Sequence, residues 1–154
     1  MKAQKLFLKK EPQTGYPVNP SIDLGVFMDT LLSQYLTQIK QRITEIDLET
    51  LHNKIQQQDT CIVLDVRDKD SWNKGHLPNA IHCERGMLEL KIEKICPDFT
   101  REIIIYCGGG TRSCLCAETL QRMGYANVKS LSQGYRGWEQ QNLPLERSNS
   151  ENIT

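Results

Sequence analysis

At 154 residues the chain is near the size of one domain and can bury a core without covalent staples. Its 19 Lys and Arg offset 19 Asp and Glu, so no global charge draws it to nucleic acid or an anionic membrane, and no basic run offers a local footprint. Six cysteines (Cys61, Cys83, Cys96, Cys107, Cys114 and Cys116) could form a disulfide framework. The chain length and the charged start from Met1 to Lys10, where a signal peptide would need a continuous apolar stretch, predict free thiols in a reducing, cytoplasmic setting.

The first two dozen residues are polar and broken by Pro12, Gly15, Pro17 and Pro20, which predicts an irregular arm. From Leu24 to Gln41 the residues Leu24, Phe27, Met28, Leu31, Leu32, Tyr35, Leu36 and Ile39 recur at helical spacing. Their apolar arc is wider than a lone surface helix buries, so this amphipathic helix is expected to cover its own domain or to pair with a second copy as a homodimer. A short strand at 43–46 and a helix capped by Asp47, carrying Leu48, Leu51 and Ile55, come next. Strands near 61–66, 80–83, 102–106 and 128–131 then alternate with helices near 69–74, 87–95, 112–123 and 134–140. Alternation of this kind predicts an α/β domain whose five-stranded parallel sheet is covered on both faces, with ligands at the carboxyl ends of the strands. The expected organisation is an arm and helix over 1–41, the domain over 42–146 and a loose tail over 147–154.

The chemistry concentrates in Tyr106-Cys107-Gly108-Gly109-Gly110-Thr111-Arg112-Ser113, directly after the apolar run Ile103-Ile104-Ile105. A strand ending in a cysteine and turning through glycines into a helix places the sulfur under a ring of backbone N–H groups, which binds anions. The helix N-terminus and the fork of Arg112 add to the same spot. An ordinary thiol, with a pKa of about 8.5, must fall by roughly two units to be a useful nucleophile at pH 7, worth about 2.7 kcal/mol. A helix dipole supplies about 0.3–1 kcal/mol. The amides from Gly108 to Ser113 are therefore expected to do most of the work, with the Thr111 and Ser113 hydroxyls as further donors or as ordinary helix caps.

Three further segments agree with this loop: Asp65-Val66-Arg67, Gly75-His76-Leu77-Pro78-Asn79-Ala80-Ile81-His82, and Gly134-Tyr135-Arg136-Gly137-Trp138. Together with the cysteine loop they resemble the rhodanese (thiosulfate:sulfurtransferase) family, in its order and at its usual distances, over residues 42–146. The resemblance implies a three-layer rhodanese-like fold with an added N-terminal helix. It also implies an enzyme without metal or organic cofactor, in which Cys107 takes a sulfane sulfur from a small anionic donor such as thiosulfate. The persulfide then passes its sulfur to cyanide, a thiol or a sulfur-relay protein. Cys107 would be the nucleophile, the Gly108, Gly109, Gly110, Thr111 and Ser113 loop would hold the persulfide charge, and Arg112 would position the donor.

Two rivals stay open, a phosphatase or arsenate reductase on a similar loop and a rhodanese module used only for binding. Protein tyrosine phosphatases place five residues between cysteine and arginine, whereas four intervene here, and inactive modules usually lack the cysteine. Arg67 could bind the donor or form a salt bridge with Asp65 or Glu84, and Arg85 could line the rim or be merely solvated. Asp65 and His76 read as structural, Trp72 and Trp138 as packing, and His52 and His82 lack partners at metal-ligand spacing. Cys114 or Cys116 could resolve the persulfide into a disulfide, or could simply pack a helix on the sheet.

Overall fold

The computed structural model of the chain describes residues 30–148. The predicted arm, the start of the first predicted helix with Leu24, Phe27 and Met28, and most of the predicted tail lie outside the described residues. In chain order the elements are α1 (Leu31–Lys40), β1 (Thr44–Ile46), α2 (Leu48–Gln56), β2 (Ile62–Asp65), α3 (Lys69–Lys74), β3 (Ile81–His82), a 3₁₀ turn (Arg85–Met87), α4 (Leu88–Ile95), β4 (Ile103–Tyr106), α5 (Thr111–Met123), β5 (Val128–Leu131) and α6 (Gly134–Gln140). Strand ends fall within two residues of the sequence reading, and the stretch read as one helix from Met87 instead opens with the 3₁₀ turn.

All five strands run parallel, in the order β1-β5-β4-β2-β3. The short runs Ile62-Val63-Leu64 and Ile103-Ile104-Ile105 are buried throughout, as strands covered on both faces must be. Their residues alternate between two cores. Ile62, Leu64, Ile103 and Ile105 pack with Leu88, Ile92, Ala117 and Leu120 of α4 and α5. Val63, Ile104 and Tyr106 pack on the other face with Leu48, Leu51 and Trp138 of α2 and α6. Asp47 caps α2 as expected, its carboxylate accepting from the Thr50 amide at 2.8 Å.

The α1 helix packs against α5, with Ile39 wholly buried and Leu36 partly so. Leu31, Leu32 and Tyr35 are exposed on the same helix. The connections reverse direction between β2 and β4: β2 leads outward to edge strand β3, and β4 returns on its other side. Such a reversal opens a crevice at the carboxyl ends of the two strands, where Asp65 lies opposite Tyr106 in the ladder. Cys107 is the next residue out from β4.

Candidate active site

The loop after β4 is shaped by what holds its carbonyls. The Tyr135 amide donates to the Cys107 carbonyl at 2.8 Å and the Arg136 amide to the Gly108 carbonyl at 3.0 Å, so the first turn of α6 draws these oxygens away from the sulfur. The loop amides are left facing inward. Those of Gly110 and Ser113 donate to Cys107 Sγ at 3.2 and 3.4 Å. Two glycines are indispensable to this fit. Gly110 is left-handed at φ 103°, and a Cβ there would sit 2.5 Å from the Ser132 carbonyl. Gly134 has φ 58°, and its Cβ would fall 2.6 Å from the Cys107 carbonyl.

Around the sulfur, Ser113 Oγ lies 3.5 Å from Cys107 Sγ and receives a 2.8 Å hydrogen bond from Ser130 Oγ on β5. Cys107 itself is buried. Burial pushes its thiol up, but the Ser113 hydroxyl and the amides of Ser113, Gly110 and Gly109 outweigh burial and hold it below the ordinary thiol range. Local hydrogen bonds therefore shift the thiol in the direction that a nucleophile needs. Of the two hydroxyls singled out, that of Ser113 reaches the sulfur, while Thr111 is the exposed first residue of α5.

The structure brings Arg112 to the loop: a Cβ on Gly108 would lie 3.6 Å from its Nη2. It also brings a second guanidinium that the sequence reading did not assign. Arg136 Nε donates to the Gly108 carbonyl at 3.3 Å, and its Nη2 occupies the space directly over Gly109. The clue was in view, since Arg136 belongs to the Gly134–Trp138 segment, but only the fold carries that segment back to Cys107.

For Arg67 the salt bridge to Asp65, one of the alternatives left open by the sequence, forms. Its guanidinium is buried, bonds Asp65 through Nε (3.1 and 3.2 Å) and Nη2 (2.8 Å), and donates to the Gly75 carbonyl at 2.7 Å. It lies 4.0 Å from the centre of the Tyr135 ring, and Tyr106 completes the cluster with a 2.5 Å bond to Asp65. Arg67 thus braces the start of α6, which in turn holds the cysteine loop. Arg85 is exposed on the 3₁₀ turn. A cavity of about 290 Å³ beside that turn is lined by Lys69, His82, Cys83, Glu84, Met87 and Lys91, and by none of the loop residues.

The remaining predicted positions separate cleanly. Trp138 is core, and Trp72 stacks on His76 with ring centres 3.5 Å apart. All six cysteines are free, and burial pushes the Cys114 thiol up and that of Cys116 to about 12. Cys114 and Cys116 both lie in the core that α5 shares with the sheet. Asp59, Cys61 and Glu102 approach one another closely enough to share an ion, but Lys54 already bridges the two carboxylates at 3.3 and 2.7 Å and Lys129 pairs with Glu102.

Comparison with known proteins matches the same frame. Residues 47–141 fit the model of the rhodanese-like domain. The chain belongs to the rhodanese family. A putative sulfur carrier protein, YrkF of Bacillus subtilis, is 31% identical over 96 residues, 62% of this chain and 51% of that one, so the match spans about half of that relative. A sulfurtransferase of Allochromatium vinosum is 27% identical over 67% of this chain and 94% of its own. Among solved structures, the polysulfide-sulfur transferase homodimer of Wolinella succinogenes superposes with a TM-score of 0.68 at 22% identity, over 85% of this chain and 98% of that one. A protein of unknown function from Rhodopseudomonas palustris, described as a possible tyrosine phosphatase, gives 0.71 at 24% identity over 86% and 100%. At those identities the two structures speak for the fold alone.

Proposed function

We propose that the protein is a sulfurtransferase working through a persulfide on Cys107. The observation that carries this reading is the convergence of the Gly110 and Ser113 amides and the Ser113 hydroxyl on one buried sulfur. Such a cradle stabilises a thiolate, and after sulfur arrives it stabilises the terminal sulfur of a persulfide anion. With thiosulfate as donor, the Cys107 thiolate attacks the outer sulfur. A new S–S bond forms, the donor's S–S bond breaks, and its electron pair leaves on sulfite. Cyanide or an acceptor thiolate then attacks the outer persulfide sulfur and returns the Cys107 thiolate. Arg112 offers its fork to the sulfonate oxygens.

A reducing, cytoplasmic setting suits a chemistry that needs Cys107 as a thiol. Among the described residues no helix is long and apolar enough to cross a membrane. The phosphatase reading is disfavoured by the four-residue gap between Cys107 and Arg112, which leaves little room for a phosphoryl group. The deciding experiment is intact mass after incubation with thiosulfate, followed by cyanide. The native chain should gain one sulfur atom and release it as thiocyanate, and Cys107→Ser should do neither. Unchanged loading of the Cys107 variant, or brisk hydrolysis of an aryl phosphate by the native chain, would overturn the proposal.

A further inference from the structure

The sulfur transfer just described uses one guanidinium, yet the fold brings two to the loop. A point at the Cβ position of Gly108 lies 3.6 Å from Arg112 Nη2 and 3.8 Å from Arg136 Nη2, so the two cations share one mouth. Among the described residues neither closes an ion pair. The carboxylate that senses Arg112, Asp68, is occupied in capping α3, where it accepts from the Ser71 amide and hydroxyl at 2.8 and 2.9 Å. Two neighbouring guanidiniums without a carboxylate between them repel, and an anion placed between them relieves that repulsion.

Gly109 ties this arrangement to the sequence. Its backbone lies outside the left-handed region that Gly110 and Gly134 occupy, so the turn itself would accept a side chain. Space would not. A Cβ on Gly109 would lie 2.3 Å from Arg136 Nη2 and 3.2 Å from its Cζ, whereas at Gly108 the same atoms leave ordinary room. The Arg136 backbone is fixed by its amide bond to the Gly108 carbonyl, and its Nε donates to the same oxygen at 3.3 Å. The middle glycine of the three therefore serves the guanidinium above it.

We propose that Arg136, seated over the side-chain-free Gly109, is a specificity-determining residue that supplies the second positive charge by which the mouth selects sulfur donors carrying two negative charges over donors carrying one. The assignment rests on the sulfur-transfer reading. The bonds made and broken are the same for both donor classes, and only the charge presented to the mouth differs. For an exposed rim position the preference should be about tenfold, equivalent to about 1.4 kcal/mol, and should shrink as salt is raised.

The test compares thiosulfate, a dianion, with methanethiosulfonate, a monoanion that delivers its sulfur with loss of methanesulfinate. Rates of persulfide formation on Cys107 are read by intact mass. Arg136→Ala should slow loading from thiosulfate about tenfold more than loading from methanethiosulfonate, and Arg136→Lys should keep most of the preference because it keeps the charge. Gly109→Ala should reproduce Arg136→Ala, and the double variant should be no worse than either single one, because both changes vacate the same position. Equal slowing of both donors, a lysine variant as poor as the alanine one, or losses that add in the double variant would each overturn the assignment. Those outcomes leave sulfur transfer standing. A native chain that accepts sulfur from neither donor would remove the sulfur-transfer reading, and this inference with it.

Discussion

Cys61 and Cys107 sit at opposite ends of two hydrogen-bonded parallel strands, one just before β2 and the other just after β4. Burial raises both thiols. Around Cys61 the Asp59 and Glu102 carboxylates add to burial and push it to about 11, which leaves roughly one molecule in ten thousand as thiolate at pH 7. Around Cys107 the Ser113 hydroxyl and the loop amides reverse the sign. Residue type is shared and Cys107 is the more deeply buried, which alone would raise its thiol further, so the opposite sign comes from the surrounding dipoles and charges. A parallel sheet hands its carboxyl end loops that feed directly into helix N-termini, and amides collect there.

The largest effect should come from removing the brace at the Cys107 end. Arg67→Ala would leave the Asp65 carboxylate buried without its cation, at a cost of about 3–5 kcal/mol in stability. It would also remove the cation packed on Tyr135, so chemical denaturation and Cys107 alkylation should both suffer, while ion pairing around Cys61 is untouched. A loss under about 1 kcal/mol would mean that the cluster does not support the loop. Next comes Gly134→Ala, which forces a Cβ into the Cys107 carbonyl and a side chain into a left-handed backbone. Cys107 should lose about a hundredfold in alkylation rate, about 2.7 kcal/mol. An intact rate would show that α6 does not set the direction of the loop amides.

These two variants also mark what the sequence could and could not reveal. The apolar runs of β2 and β4, the Asp47 cap and the cysteine loop are local patterns, each readable within a dozen residues. Arg67 was read either as a donor ligand or as an ion-pair partner of Asp65 or Glu84, and its place against Tyr135 was not legible, because that ring is distant in the chain and meets it only through the fold. Arg136 and Ser130 were not singled out for the same reason. A charged or hydroxyl side chain on β5 or α6 reads as surface or filler until the crossover returns it to Cys107. The parallel sheet was legible from alternation, but the adjacency of β4 to both β2 and β5, which assembles the site, was not.

A smaller change tests the hydroxyl alone. In Ser113→Ala the amide donor to Cys107 Sγ remains, while the Oγ contact at 3.5 Å is lost together with the Oγ bonds to the Gly110 carbonyl and from Ser130 Oγ. The Oγ contact helps to hold the Cys107 thiol below its ordinary range, so the folded pKa rises when it is removed. The midpoint of the alkylation rate against pH should move up by about one unit, with the native rate nearly recovered in alkaline solution. A midpoint that stays in place would assign the activation to the amides alone.

The smallest effect is expected at the other end of the strands. Glu102→Gln removes one of the carboxylates that raise the Cys61 thiol, releases Lys129 from its pair and leaves Lys54 paired with Asp59 alone. Both changes favour the thiolate, so the Cys61 midpoint should fall, but burial is the largest cause of its shift and stays unchanged. A single charge at this half-exposed position is worth about half a pH unit. Cys61 should therefore remain far slower than Cys107 toward iodoacetamide at pH 7, read by peptide mass mapping of the alkylated chain. If Glu102→Gln made Cys61 competitive with Cys107, carboxylates rather than missing amides would be what silences a cysteine in this fold, and the contrast between the two ends of the sheet would have to be drawn in charge alone.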